Sequence, residues 1–404
     1  MIFVGVDWAE AHHDICVLDE AGDVLARKRI PDTLAGVRAL HELLGEHAEE
    51  PEVVIVGIEK DRGLIVASML GANYRVYAIN PMSAARYRER HVTSGSKSDP
   101  GDAKVLADLV RTDRHNHREA AGDTEGAEAL KILARAHQSA IWARQREANA
   151  LRNALKDYYP GALVSFGTDL DDRDAVAILE LAPTPALGRQ LSRSRIIAAL
   201  KRAGRTRNLE RRAAEIQSAL RDEQLAQGPV LELAYGHTTK AHVAMIRAYN
   251  AEIAELEEAL TSGFEQHPDA SIVLSLPGMG TVLGARVLGE FGDDPNRYAN
   301  AKSRRNYAGT SPITRASGKS HVVLARHMRN RRLADALDQW AFCSITRSLG
   351  ARAYYDELRG RGKTHRQAIR QLANRWVGIL HACLEQRVHY DENIAWKHRI
   401  DLAT

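Results

Sequence analysis

Cysteine is scarce in this sequence of 404 residues: only Cys16, Cys343 and Cys383 occur, and they are far apart along the chain. Their spacing excludes a disulfide framework and the paired ligands of a zinc site. The segment after Met1 has an acid within ten residues and no basic stretch, which excludes a secretory signal peptide. An uncharged apolar run long enough to span a bilayer is also missing. We therefore expect a soluble protein of a reducing cytoplasm, with no membrane partner.

Internal repeats and low-complexity segments are missing as well, which excludes a solenoid. The first part of the chain instead alternates between short apolar runs and segments with helical spacing. We predict strands at 2–6, 14–18, 24–30, 53–58 and 74–79, with helices at 33–47, 63–72, 81–90 and 99–113. Three strands followed by alternating helices and strands is the order of a ribonuclease H-like fold. The predicted fold class is therefore an α/β domain of this kind over residues 1–118.

The character of the sequence changes after this domain. Residues 119–268 have long amphipathic patterns, with Ile253, Leu256 and Leu260 at near-heptad spacing, so we predict a helical, coiled-coil spacer. A plain helical bundle accounts for the pattern equally well. Residues 269–404 are predicted to form a basic, mainly α-helical domain. Within it, Gly278 and Gly280 lie in a turn between two apolar helices, which resembles a helix-hairpin-helix element that binds phosphates.

Four carboxylates stand at positions that favour a common site. Asp7 and Glu59 each end an apolar strand, and Asp99 and Asp102 share one face at the start of a predicted helix. Such a set can hold Mg²⁺ or Mn²⁺ for phosphoryl transfer, because these ions prefer hard oxygen ligands. Helix capping would also explain Asp99 and Asp102.

Two other acids compete for the strand-end positions. Glu10 is an alternative to Asp7, and Asp61 is an alternative to Glu59. The combination of acids, and no single one of them, therefore predicts the metal site.

Acidic residues are missing between Asp294 and Asp335, although the whole chain is nearly balanced, at +4. The positive field of such a stretch suits a phosphate backbone. The residues predicted to bind nucleic acid here are Arg304, Arg305, Arg315, Lys319, Arg326, Arg329, Arg331 and Arg332.

Ser317 lies inside this basic stretch, before a glycine and between Arg315 and Lys319. Neighbouring cations can neutralise a phosphodiester under attack by a hydroxyl. Serines are common in turns, and Ser311 and Ser320 are polar neighbours of the same kind. Chemistry alone therefore makes Ser317 a candidate nucleophile among several serines.

The segments GVDWAEAHHDICVLDEAG, GIEKDRG and KSDPGDAKVLADL, followed much later by LPGMGTVLGARVLGEFGD and YAGTSPITRASGKS, resemble one family. It is the insertion sequence 110 family of transposases, with the related Piv-type DNA recombinases. The resemblance covers almost the whole chain in the same order.

The resemblance implies a site-specific DNA recombinase. Its RuvC-like domain would carry the acid set as Asp7, Glu59, Asp99 and Asp102, and Ser317 would form a covalent link to DNA. It further implies a homo-oligomer, a dimer or tetramer, with a composite site, and a structured noncoding guide RNA encoded by the element. We accordingly expect the protein to be associated with the bacterial nucleoid when active.

Other functions remain open from the sequence. One is a RuvC-like nuclease that uses water, with Ser317 structural. Another is a nucleic-acid-binding protein without catalysis. A sugar-kinase-like function is disfavoured, because no phosphate-binding glycine loop follows the second pair of strands.

Overall fold

The computed structural model describes residues 1–91, 99–120, 122–317, 320–326 and 329–400. The chain divides into two compact units, Met1–Gly122 and Asp123–Thr404. Among the helices of the described residues, none combines the length and the apolar character needed to cross a membrane. The predicted division into three parts, at 118 and 268, stays a prediction.

The first unit is a mixed α/β structure, as predicted. Its elements are β1 (Ile2–Trp8), β2 (His12–Leu18), β3 (Val24–Pro31), α1 (Leu34–Gly45), β4 (Val54–Ile58), α2 (Leu64–Gly71), β5 (Arg75–Ala78), α3 (Pro81–His91), α4 (Asp99–Thr112) and β6 (Arg118–Glu119). The predicted order of strands and helices is confirmed. The two-residue strand β6 was not predicted, because so short a segment has no periodicity to detect.

These strands form one sheet in the order β3-β2-β1-β4-β5-β6. β1 pairs antiparallel with β2 and parallel with β4, which in turn pairs parallel with β5. Alternate residues of a strand face opposite sides of a sheet. On one side Val4, Val56 and Val76 belong to a core beneath α1 and α2, and on the other Phe3 and Ile55 belong to a core beneath α4.

The second unit is mostly helical. Its elements are α5 (Glu125–Tyr158), α6 (Pro160–Phe166), α7 (Arg173–Leu181), α8 (Pro185–Gln190), α9 (Arg193–Arg202), α10 (Leu209–Arg221), α11 (Pro229–Glu265), α12 (Ala270–Leu274), α13 (Thr281–Phe291), α14 (Ala301–Ala308), β7 (Ile313–Ser317), β8 (Ser320–Leu324), α15 (Arg331–Ser344), α16 (Leu349–Gly360), α17 (His365–Gln386) and α18 (Glu392–Ile400).

The two long helices α5 and α11 pack along one another and connect two cores within this unit. At one end, Leu151 and Val243 belong to a core formed with α6, α7, α9 and α10. At the other, Leu130 and Phe264 belong to a larger core that also contains Trp340 and Trp376. A coiled coil over residues 119–268 stays a prediction.

The turn between α12 and α13 contains the two glycines of the predicted helix-hairpin-helix element. Gly278 has φ +79°, and a Cβ there would lie 2.6 Å from the backbone nitrogen of Ser344. Gly280 caps α13 and is exposed. Gly278 is therefore required by the close approach of α15, and the phosphate-binding role of the turn stays a prediction.

Candidate functional site

An open cavity of about 490 Å³ lies at one edge of the sheet in the first unit. Asp7, Glu59 and Asp102 line it, so three of the four predicted carboxylates meet there. We call it the acid cavity. Its other lining residues are Trp8, Ala9, His12, Asp14, Pro81, Ala85 and Arg88. The side chain of Asp99, the fourth predicted acid, lies outside the described residues.

The strand pairing explains why Asp7 and Glu59 meet. β1 and β4 are parallel neighbours with Val6 opposite Ile58, so the residues that follow are adjacent at the carboxyl ends of both strands. Residues two apart in a strand face the same side of the sheet. Asp7 therefore faces the same side as Gly5, and Glu59 the same side as Gly57. Both glycines face α4. The alternation of side chains along the strands thus places both carboxylates on the side of the helix that carries Asp102.

Two glycines bring that helix close. A Cβ at Gly5 would lie 1.8 Å from the carbonyl oxygen of Ala103, and one at Gly57 would lie 2.6 Å from that of Leu106. Gly5 and Gly57 are register partners in β1 and β4, so together they form a shallow track for α4. Asp102 starts the segment of α4 that lies in this track and is therefore held beside the strand ends.

Arginines neutralise two of the acids at the cavity. Nη2 of Arg88, on α3, lies 2.6 Å from Oδ1 of Asp102. Arg29 donates to both carboxylate oxygens of Asp14, with Nη2 2.8 Å from Oδ2. Asp14 is the register partner of Asp7 on the antiparallel strand β2, a pairing of like charges that would be unfavourable without compensation. The cation of Arg29 thus allows two carboxylates to face one another across the strands.

The competing carboxylates fall elsewhere. Glu10 and Asp61 are exposed, and neither is among the described residues that line the acid cavity. Sequence reasoning missed His12, Asp14 and Arg88. The alternation of side chains in β2 could have indicated Asp14, because it faces the same side of the sheet as the buried Cys16 and Leu18. No sequence pattern marks Arg88, since its position depends on how α3 packs.

In the described part of the chain, no group of three or more His, Cys, Asp or Glu side chains is gathered closely enough to hold a metal ion. The acid cavity is lined by four carboxylates, three of them predicted, together with Arg88, which is paired with Asp102. A complete ligand set would need the carboxylates to close together, with Asp99 as the remaining predicted member.

Ser317 is the last residue of β7 and is exposed. β7 pairs antiparallel with β8, and Ser317 is the register partner of Ser320 at the end of the hairpin. Lys319 lies outside the described residues, as does the side chain of Arg315. This hairpin was not predicted, and it places an exposed Ser317 at the end of β7. On β8, Val322 and Val323 are 46% and 57% exposed, so the hairpin is not part of a core.

The predicted basic residues have different surroundings. Arg304 is only 6% exposed, and its guanidinium lies 4.7 Å from the ring centre of Tyr298 and 5.3 Å from that of Phe291. Burial lowers its pKa. Arg332 donates to the carbonyl oxygen of Arg135 and to Oγ of Ser139, and lies over the ring of Trp142. These contacts explain both arginines by packing.

The remaining basic residues are accessible to different extents. Arg331 is exposed, and Arg305, Arg326 and Arg329 are partly exposed. They are the members of the predicted set that a phosphate backbone could reach.

Glu290 holds the start of α15, the helix that follows the basic stretch, in place. It accepts hydrogen bonds from Arg135, with Nε at 2.7 Å, and from Asn330, at 2.6 Å. Burial acts to raise the pKa of Glu290, but these hydrogen bonds outweigh it, and the pKa lies below its ordinary value. Asn330 also caps α15 by accepting from the backbone nitrogens of Arg332 and Leu333. The carboxylate thus anchors α15 to α5 and α13.

Comparisons with known proteins agree with the resemblance found in the sequence. The DEDD_Tnp_IS110 transposase family matches residues 4–160, and the IS116/IS110/IS902 family of transposases matches residues 270–356. The first match contains all four predicted carboxylates, and the second contains Ser317.

Full-length relatives give the same result. The mini-circle putative transposase for IS117 of Streptomyces coelicolor is 45% identical over 98% of this chain and 96% of the relative. The IS110 43.6 kDa protein of the same organism is 28% identical over 97% and 96%. The IS900 42 kDa protein of Mycobacterium paratuberculosis is 29% identical over 96% and 97%. With two domain matches and a relative similar along its whole length, this chain belongs to the IS110/IS116 family of transposases, enzymes of DNA transposition.

Proposed function

We propose that the chain cuts and rejoins DNA through a covalent link to Ser317, assisted by Mg²⁺ or Mn²⁺ at the acid cavity. The observation that carries the proposal is the convergence of Asp7, Glu59 and Asp102 from three distant segments of the chain. Capping of α4 would explain Asp102 alone, but it gives no reason for two strand-end acids to face the same cavity. The order of strands also suits a ribonuclease H-like, RuvC-like domain.

The donor chemistry of the cavity fits a divalent ion. Carboxylates offer the hard oxygen ligands that Mg²⁺ and Mn²⁺ prefer. Asp102 already accepts a cation, the guanidinium of Arg88. Asp7, Glu59, Asp99 and Asp102 would hold the ion, which would supply Lewis-acid stabilisation of charge on the reacting phosphate.

Ser317 would act as the nucleophile. Its Oγ would attack the phosphorus of a DNA phosphodiester, and one P–O bond to a deoxyribose would break. The serine proton would be lost and the departing sugar oxygen would leave as a hydroxyl, so the number of phosphodiester bonds is conserved. A hydroxyl of another strand would then attack the phosphoserine and release Ser317. The exposed position of Ser317 in a stretch without acids supports this role.

The family resemblance supports two further parts of the proposal. A structured RNA encoded by the element would pair with the donor and target DNA, and a homodimer or tetramer would carry out the exchange. DNA contacts would come from Arg305, Arg315, Lys319, Arg326, Arg329 and Arg331, with Gly278 and Gly280 at the helix turn. Arg304 and Arg332 are left out of this interface, since packing already explains their positions.

Cleavage of a plasmid that carries the ends of the element, with its flanking RNA present, tests the acid cavity. We expect Mg²⁺-dependent cleavage by the wild type and a loss of about 100-fold or more in Asp7→Asn, Glu59→Gln and Asp102→Asn. Glu10→Gln and Asp61→Asn are matched controls, because they remove the same charge from acids outside the cavity, and we expect them to cleave like the wild type. If Glu10→Gln loses cleavage while Asp7→Asn keeps it, or Asp61→Asn loses it while Glu59→Gln keeps it, the assignment of the metal-binding acids is wrong. If every variant cleaves, the carboxylates are structural.

A further inference from the structure

Phe342, on α15, is unusually exposed. It is 60% accessible, the most of any Phe or Trp in the described residues. Its ring meets that of His365 at the start of α17, with 6.2 Å between centres and 87° between planes. His365 Nδ1 lies 2.8 Å from the hydroxyl of Tyr355. The contact with His365 gives the phenyl ring a neighbour that is itself held by Tyr355, while most of the Phe342 side chain stays accessible to solvent.

Two cavities meet at this ring, since Phe342 and His365 line both. The first, of about 860 Å³, extends to the turn of Pro277 and Gly278 between α12 and α13. The second, of about 450 Å³, extends along α17. We call the two together the Phe342 groove. Two cavities that share an aromatic ring suit an extended polymer better than a small molecule.

Arginines line both halves of the groove. Arg347 and Arg352 lie in the first cavity, and Arg329, Arg366 and Arg370 lie in the second. Within the part of the chain that the structure describes, Arg347, Arg366 and Arg370 form no ion pair, whereas Arg352 is paired with Asp356. Two acids line the second cavity. Asp335 is bound to Arg286 at 2.6 Å, and burial raises the pKa of Asp338 despite the nearby charges of Arg329, Arg370 and Arg366.

We propose that the Phe342 groove binds an unpaired stretch of DNA. One base stacks on the Phe342 ring, and the neighbouring phosphates contact Arg366 and Arg370 on one side and Arg347 on the other. Guanidinium groups that form no ion pair among the described residues complement a phosphate backbone, and an exposed aromatic ring between them complements a base. Bases stacked in a duplex cover their own faces, so this arrangement favours a single strand.

The proposal deepens the proposed function and requires only that the chain acts on DNA. It does not depend on Ser317 or on the acid cavity. Binding is therefore measured in EDTA with full-length protein, so that failure of the cleavage chemistry and failure of the groove give different results.

Fluorescence anisotropy with a labelled oligothymidine of about 15 nucleotides tests it. We expect Phe342→Ala to weaken binding about tenfold, because base stacking on one aromatic ring is lost. Phe342→Trp, which keeps a stacking face, should bind at least as tightly as the wild type. A duplex of the same length should bind Phe342→Ala and the wild type equally.

The salt dependence of binding distinguishes the contribution of the Phe342 ring from that of the arginines. For Arg366→Gln/Arg370→Gln, the slope of log K against log salt concentration should fall in magnitude by about 1.4, since each phosphate contact to a single strand contributes about 0.7. Phe342→Ala should leave the slope unchanged. The matched control is Arg193→Gln/Arg195→Gln, which removes two exposed charges from α9, outside the groove, and should keep the wild-type slope.

Several results would overturn the proposal. The groove is not a single-strand site if the wild type does not bind oligothymidine, or if Phe342→Ala binds it as the wild type does. Equal loss of duplex binding in Phe342→Ala would exclude a stacked base. Tighter, Phe342-dependent binding of oligouridine would make RNA the occupant instead of DNA. Melting temperatures measured for all variants establish that each is folded.

Discussion

Arg88 and Asp102 form an ion pair in which both partners line the acid cavity. A guanidinium at 2.6 Å from Oδ1 already neutralises the carboxylate that a divalent ion would bind. The two cations therefore compete for the charge of Asp102.

This competition gives a prediction for Arg88→Gln. The variant should bind Mn²⁺ about fivefold more tightly than the wild type, because a partly exposed ion pair no longer has to be broken. Calorimetric titration with Mn²⁺ in the absence of DNA measures the dissociation constant of each variant. Arg86→Gln, which removes an exposed charge from the same helix, should bind Mn²⁺ like the wild type. Weaker binding by Arg88→Gln would instead mean that Arg88 holds Asp102 in place for the ion.

Glu290 gives a pH-dependent prediction in the second unit. Its pKa is below the ordinary value of 4.5 in the folded protein, so the folded state favours the carboxylate. The stabilisation is complete above the ordinary pKa and is lost as the pH falls through the lower, folded-state pKa.

Glu290→Gln should accordingly lower the melting temperature at neutral pH, since Arg135 loses its ion pair in a buried site. The difference from the wild type should shrink as the pH falls below the ordinary pKa of 4.5. Thermal unfolding across this range measures it, with Glu258→Gln, an exposed acid on α11, as the control. A difference that stays constant with pH would show that Glu290 contributes only by packing.

At the residue scale, the sequence could predict the position of a side chain where the apolar pattern of a strand shows where that strand ends. Asp7 and Glu59 could be predicted to converge, because both end strands that the apolar pattern identifies. Arg304 could not be placed, because a charge in a basic stretch predicts exposure, whereas the structure buries it between Tyr298 and Phe291. Burial of a cation depends on partners distant in sequence.

At the scale of elements, α4 decides whether the acids meet. Its close approach to β1 and β4 requires that Gly5 and Gly57 lack side chains. Both glycines lie inside strands, where glycine usually weakens the structure, and the packing of a helix against the sheet accounts for their presence.

Gly5→Ala should therefore destabilise the first unit by about 2 kcal/mol, because an added methyl group forces α4 away from the sheet. The displaced helix should also weaken Mn²⁺ binding, since Asp102 moves with it. Thermal unfolding and the Mn²⁺ titration measure the two effects. Gly45→Ala is the control, because a Cβ there meets no atom within 4 Å. Unchanged stability in Gly5→Ala would show that the helix packing tolerates a side chain.

The elements of the first unit were predictable because their apolar patterns are long and clear. The hairpin of β7 and β8 was missed for physical reasons. Each strand has five residues, and both lie in a stretch rich in arginine and turn-forming residues, where no alternation marks a buried face. The exposure of Val322 and Val323 shows why a core-based pattern could not detect it.

At the scale of the whole molecule, the acid cavity belongs to one unit and Ser317 to the other. Family membership, predicted from segments that cover nearly the whole chain, joins the two in one enzyme of transposition. Composition and periodicity alone could not have joined them, since nothing local connects a strand-end acid to a serine hundreds of residues later. The proposed recombination needs both sites, so a single measurement that depends on both is the strongest test.

That measurement is a denaturing-gel assay for a covalent protein–DNA adduct, with Mg²⁺, the ends of the element and its flanking RNA. The wild type should form an adduct, and Ser317→Ala and Asp102→Asn should not. Ser311→Ala, which removes the hydroxyl of a nearby serine, should form it like the wild type. Cleavage without an adduct, unchanged in Ser317→Ala, would contradict the account and indicate a nuclease that uses water.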